Sequence, residues 1–363
     1  MSKAAELAAL IGSQTAQGNK NFVINGAMNV AQRSASVTGL GDGDEGYVTL
    51  DRIRHTAAAS AGRFTSAQTA ISDLPGFLNC LHLDCTTADT SIASSELLVL
   101  EHRMEGQNLQ QLKKGTSSAE RITVSFYMKT NKAFTFMCAL NDYDNNRINT
   151  QQFTTTTDWT RHSITFVGDT TGALGDDSGN SLSVEFYLHA GATYTGGTYS
   201  ANTWQSRQAS DNMRAVGIGS FYDSTDNDIK LTGLQVEIGD VATAFEHEEI
   251  STTLLKCQRY YFRWTADSTY DSAISGFCLN STQAFGVYNM PVRMRNSPTM
   301  GVGGNWNIFT NGEQAATGFS LNRSQHDTVM TYMTASSGMT AGSGCLMRTN
   351  NDDDAYFEFI AEL

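Results

Sequence analysis

The chain has 363 residues, 32 of them glycine and only 3 proline, with 17% charged residues and a formal net charge of −13. This length supports two or three domains with cores of their own, and a glycine-rich, proline-poor composition suits many short strands joined by turns. So acidic a chain, without clustered Lys and Arg, argues against nucleic acid and against anionic lipid as partners, and no apolar run approaches the ~20 residues that would insert in a membrane.

At the N-terminus, Ser2 to Gly12 lacks the charged start and continuous apolar centre of a signal peptide. It reads as a short amphipathic helix capped by Ser2, with Leu7, Leu10 and Ile11 on one face. So short a helix is marginal in water, so residues 1–18 are expected to be a helix and linker that order against another surface. Asn21 to Arg33 is expected to be the first strand of the main domain, followed by the acidic glycine loop Gly39 to Gly46 and a second strand over Tyr47 to Arg52.

Cys80, Cys85, Cys138, Cys257, Cys278 and Cys345 form no CxxC pair and no Cys/His spacing suited to zinc. Leu81, Leu83 and Cys85 alternate as in one strand, so Cys80 and Cys85 fall on opposite faces and cannot bridge. Buried free thiols, in a protein folded in a reducing cytoplasm, are the expectation.

Further along, period-two alternation marks strands. The inward set is Ile122, Val124, Phe126 and Met128 in one, and Leu182, Val184, Phe186 and Leu188 in another; Ile164 and Phe166 follow Trp159, and Ile229 and Leu231 begin a long strand. Turn-rich segments separate them. Such alternation, with almost no helix, predicts a mainly β chain with two antiparallel sheets packed face to face as a jelly-roll sandwich over residues 19–250. The dense stretch Leu231 to Trp264 would close that sandwich and lead through a connector, 251–264, into a small β domain, 265–363. Tyr356 to Ile360 is its docked C-terminal strand.

Several segments, taken in order, resemble those of a known group. Asn25-Gly26-Ala27-Met28-Asn29-Val30-Ala31-Gln32-Arg33, Asp51-Arg52, Thr123 to Lys129, Asp158-Trp159-Thr160-Arg161, Gln235 to Gly239, Ala242 to Glu246, Cys257-Gln258-Arg259-Tyr260-Tyr261 and Ala355 to Phe359 look like tail-fibre, receptor-binding or appendage proteins of tailed bacteriophages. The resemblance implies a jelly roll similar to carbohydrate-binding modules, a small C-terminal β domain, and a homotrimer. It implies a virion location, with residues 1–18 attaching to other tail or virion proteins, and a host cell-surface glycan or receptor as partner.

Candidate site residues follow from chemistry. Tyr194, Tyr199 and Trp204 lie in a loop of Gly, Thr, Ser and Asn, where flat aromatic surface and short polar side chains suit a saccharide; packing against a neighbouring subunit is the competing reading, and Trp306 shares the ambiguity. Trp159 reads better as a core or sheet-edge residue. Asp142, Asp144 and Asn146 alternate as in a calcium loop but lack its glycine and its bidentate Glu, so a hairpin turn is the better reading. Asp42 and Asp44 with Glu45, or Asp223, Asp226 and Asp228, are weaker candidates for a structural calcium; solvated acidic loops are the commoner case, and no cofactor is expected.

Catalytic motifs are missing: there is no GxSxG elbow and no HExxH helix, and the seven histidines are scattered. A carboxylate pair for glycoside cleavage leaves no local spacing, but the repeated coils of a β-helix depolymerase are absent. The expectation is a non-enzyme that binds host glycan through its sandwich, with a non-receptor adaptor or decoration protein as the alternative and a depolymerase behind both.

Overall fold

The structure, a computed structural model, describes residues 20–207 and 211–363. The expected helix at Ser2 to Gly12 and the attachment role of residues 1–18 lie outside the described residues. The chain divides into two compact units, one ending at Thr253 and one covering Leu254–Glu362.

The first unit carries β1 (Ser36–Leu40), β2 (Arg54–Ala58), β3 (Arg63–Ala70), β4 (Asn79–Thr87), β5 (Leu97–Glu105), β6 (Ile122–Thr130), β7 (Thr135–Asp142), β8 (Arg147–Thr154), β9 (Thr160–Phe166), β10 (Asn180–Ala190), a single turn of helix α1 (Ala192–Thr195), β11 (Gln205–Ser206) and β12 (Asp228–Ile238). These form two antiparallel six-stranded sheets, ordered β1-β3-β4-β12-β6-β9 and β11-β8-β7-β10-β5-β2. The chain passes repeatedly from one sheet to the other, as in a jelly roll, and the expected mainly β sandwich is the observed fold.

Alternation explains the core. Val124, Phe126 and Met128 of β6 are fully buried, and so are Val184, Leu188 and Leu140 from the facing sheet. The Phe126 ring meets Phe186 at 4.8 Å and Phe153 at 5.1 Å, edge to face in both cases. Those two rings come from the opposite sheet, so this aromatic set clamps the layers together; truncating Phe126 to Ala would cost about 3–5 kcal/mol. The six cysteines are buried and free.

Two expected strands are absent. Asn21 to Arg33 forms a turn with Asn25 at φ 64° and Met28 at φ 58°. The buried Asn25 amide explains why: its oxygen accepts from the backbone N–H of Asn29 and Val30, and its Nδ2 donates to the carbonyls of Val30 (2.9 Å) and Asp51 (3.0 Å). A short amide tolerates the left-handed conformation and replaces ladder hydrogen bonds. Tyr47 to Arg52 is likewise a bend, with Arg52 at φ 69° and buried. Its guanidinium donates to the Arg103 carbonyl at 2.7 Å.

In the second unit, α2 (Ile250–Gln258), which starts before the boundary, is followed by β13 (Tyr261–Thr265), β14 (Ser272–Cys278), β15 (Gln283–Asn289), β16 (Thr299–Gly303), β17 (Trp306–Phe309), β18 (Glu313–Ser324), β19 (Thr328–Ala335), β20 (Gly344–Thr349) and β21 (Tyr356–Ile360). The segment 251–264, expected to be a connector, is therefore helix and strand. A closed barrel runs β14-β15-β19-β18-β17-β20, and β21 lies between β13 and β16 in a three-stranded sheet. Closure leaves the barrel no open edge. The core of the unit, shared by the barrel and the three-stranded sheet, holds Ile274, Ile308, Met333, Met347, Phe357 and Phe359.

Candidate binding site on the outer face of the second sheet

The residues that alternate with the core set point away from it. In β5 these are Leu97, Val99, Glu101 and Arg103, and in β10 Ser183, Glu185 and Tyr187. The register sets Arg54 of β2 opposite Glu101, and Glu101 opposite Glu185. One polar row thus crosses three strands. Part of this outer face is covered by Tyr194, Tyr199, Ala215 and Ile218, which pack on Leu97, Val99, Met137 and Ala139.

The uncovered part is a depression of about 190 Å³. Glu101, Glu185 and Tyr187 form its buried base, 6%, 3% and 2% exposed. Arg54, Arg103, Arg207, Arg214 and Tyr143 surround them, with Glu45 exposed at the rim. Tyr143 comes from the tight turn between β7 and β8. Two guanidiniums lie over its ring, Arg103 at 5.5 Å and Arg207 at 5.2 Å from the centroid, within cation–π range.

The base is held rigidly. Glu101 pairs with Arg54, accepts from Thr56 Oγ1 at 2.7 Å and from Arg103 Nε at 2.8 Å. Glu185 accepts from Asn141 Nδ2 at 2.7 Å, Ser183 Oγ at 2.8 Å and Tyr187 OH at 2.8 Å. Tyr143 OH reaches both, at 3.4 Å to Glu101 and 3.2 Å to Glu185. Burial alone would raise the Glu101 carboxyl, but Arg103 and Arg54 bring it below the usual carboxylate range. Burial, and then Glu185, push the Tyr187 and Tyr143 hydroxyls up. Both tyrosines therefore remain donors, and Glu101, held ionised, is unsuited to general-acid chemistry near neutral pH.

The residues singled out in the sequence fall elsewhere. Tyr194 lies in α1 and Tyr199 after it, both half-buried, with the Tyr199 hydroxyl accepting from Gln152 N–H at 2.9 Å. Trp204 donates from its indole to the Val167 carbonyl at 2.7 Å and covers the Lys114 ammonium, 5.4 Å from the ring centre. Trp306, 5% exposed, belongs to the barrel core and donates to the Gly303 carbonyl. Trp159, just before the edge strand β9, donates to Asp73 at 2.9 Å.

Asp42 and Asp44 accept from backbone N–H groups of Ala59 and Gly41. Asp223 pairs with Lys132 at 2.7 Å, Asp228 lies 3.8 Å from His82, and Asp226 is exposed. Asp142 instead pairs with the buried Lys114 at 2.5 Å. Among the described residues, no three His, Cys, Asp or Glu side chains are placed to hold a metal ion.

Sequence reading missed Glu101, Arg103, Tyr143, Glu185, Tyr187 and Arg207. One signal was present: between the apolar positions 182, 184, 186 and 188 stand Ser183, Glu185 and Tyr187, a polar outer face. Nothing local couples that face to Arg207 or to β5.

No family model matches the chain, and no curated protein matches it. Among solved structures it is similar to a CBM4 module (10% identity, 60% of this chain and 99% of that one, TM-score 0.31). It is also similar to a family 11 carbohydrate-binding module of a Clostridium thermocellum cellulosomal cellulase (14% identity, 58% and 99%, TM-score 0.28). A third is the enzymatically active domain of bacteriophage CBA120 tailspike protein 4 (8% identity, TM-score 0.30), where the match covers 61% of this chain and 22% of that one.

Proposed function

We propose that this protein is a surface component of a tailed-phage virion, a tail fibre or appendage, made in the host cytoplasm, that binds a host-surface glycan through the depression on the outer face of the second sheet. The observation that supports it is the pre-ordered base of Glu101, Glu185 and Tyr187 under a ring of guanidinium donors and the Tyr143 ring. Fixed hydrogen-bonding groups beside an aromatic face are what a polyhydroxylated ligand requires, and fixing them beforehand lowers the entropic cost of binding. The virion setting rests on the resemblance of the framework segments. Retention of the full chain on immobilised saccharides, including host envelope polysaccharide, tests the reading. Absence of retention on every saccharide, with the fold intact by circular dichroism, would sink it.

The adaptor reading is favoured by a different observation. On the outside of the barrel Phe277 is 50%, Val287 51%, Phe309 39% and Leu346 36% exposed. Phe309 pairs with Leu346 across β17 and β20, and Phe277 with Phe285 across β14 and β15. Exposed apolar surface of this kind marks a protein contact, and self-association as a homotrimer is part of the same proposal. Sedimentation of Phe277→Ser and Phe309→Ser variants against the parent chain would reveal it; unchanged mass would remove the barrel from any such contact.

A further inference from the structure

We infer that the depression over Glu101 and Glu185 selects an acidic saccharide, one whose sugar carries a carboxylate, and that Arg207 is its principal anion contact. The inference rests on the saccharide-binding reading of the same depression and adds the charge class of the ligand.

A count of donors and acceptors carries it. An ionised carboxylate offers about four lone-pair sites. Glu101 receives Arg54, Thr56, Arg103 and the Tyr143 hydroxyl. Glu185 receives Asn141, Ser183, Tyr187 and that same hydroxyl. The acceptors at the base are therefore occupied by the protein's own donors.

Arg207 stands in the opposite condition. Its Nε is buried without a hydrogen-bond partner. Among the described residues its guanidinium contacts the Tyr143 ring at 5.2 Å and forms no ion pair. Four arginines face three glutamates around the depression, in a chain whose net charge is −13. What the site lacks is an acceptor, and a negative one. A neutral sugar hydroxyl donates as well as accepts, and its proton would find the carboxylates already occupied. A carboxylate accepts only, and matches the planar fork of a guanidinium that Tyr143 holds in place.

The test uses the full chain with polygalacturonate, alginate and hyaluronan, each beside its carboxyl-reduced, neutral counterpart. Support is preference for at least one acidic polymer by roughly tenfold or more, weakening with added salt, together with a comparable loss in Arg207→Gln and partial recovery in Arg207→Lys. Equal binding of acidic and reduced forms, preference for neutral polymers, or full acidic binding by Arg207→Gln would overturn the inference and leave saccharide binding standing. No binding to any polymer by the folded parent chain would overturn both. Retention of native circular dichroism by the variants separates loss of contact from loss of fold.

Discussion

Glu101 and Glu185 stand opposite each other across β5 and β10 and share the hydroxyl of Tyr143, 3.4 Å from one and 3.2 Å from the other. Two neighbouring buried carboxyl groups repel unless donors hold them. Here the donors come from β2, β5, β7, β10 and the turn after β7. This face of the sheet is therefore a structural joint.

Replacing Tyr143 with Phe keeps the ring beneath Arg103 and Arg207 but removes the shared donor. The expected loss is about 1–2 kcal/mol of stability, the cost of leaving buried acceptors less satisfied, read as a lower urea midpoint with unchanged slope. A Phe variant as stable as the parent would show that the hydroxyl contributes nothing to the joint.

Lys114 is 7% exposed and its ammonium lies 2.5 Å from Asp142, 3.1 Å from Asp169 and 2.9 Å from the Gly172 carbonyl. Arg147 also holds Asp169, at 2.6 Å. Lys114→Met leaves two carboxylates short of a cation in the interior and should cost about 3–5 kcal/mol. Thermal melting would show the deficit shrinking on acidification, as Asp169, which burial would raise but Arg147 and Lys114 hold below the usual carboxylate range, takes up a proton. A deficit independent of pH would point to packing instead of charge.

The buried His55 has a further consequence. Burial pushes its imidazole from 6.5 down to about 4. Its Nε2 lies 3.1 Å from Ser66 Oγ. Above pH 6.5 the group is neutral folded and unfolded and contributes no pH dependence. Between 6.5 and about 4 the unfolded chain takes up the proton that the folded chain refuses. Stability should fall by about 1.4 kcal/mol per pH unit there, about 3 kcal/mol in all, and level off below. His102, buried and also pushed well down by burial and by Arg52, acts in the same direction. Urea midpoints across this window for the parent and His55→Gln measure the effect, which should be smaller in the variant.

Gly26 tests the Asn25 turn. A Cβ there would lie 2.1 Å from the Leu234 carbonyl oxygen, while Leu234 N–H donates to the Gly26 carbonyl at 2.9 Å. Gly26→Ala should destabilise by about 1–3 kcal/mol through overpacking. Gly344, where an added Cβ meets nothing within 4 Å, supplies the contrast, and Gly344→Ala should be near neutral.

What the sequence determined by itself is what short-range pattern controls. Alternation through Ile122 to Met128 and Leu182 to Leu188 sets strand type and the buried face, because the side-chain period of a strand is local. The docked C-terminal strand was legible on the same ground, and the hairpin turn at Asp142, Asp144 and Asn146 from the missing glycine and Glu of a calcium loop. Asn21 to Arg33 was not, since its apolar spacing resembles a strand while the buried Asn25 amide, bonding to Asp51, imposes a turn. Only the tertiary structure decided which polar residues meet. Sheet order and register bring Arg54, Glu101 and Glu185 into one row, the β7–β8 turn adds Tyr143, and the chain after β11 adds Arg207. The aromatic residues whose loop setting suggested a ligand, Tyr194, Tyr199 and Trp204, instead pack on that face or cover Lys114, because burying apolar area outweighs leaving a ring in water.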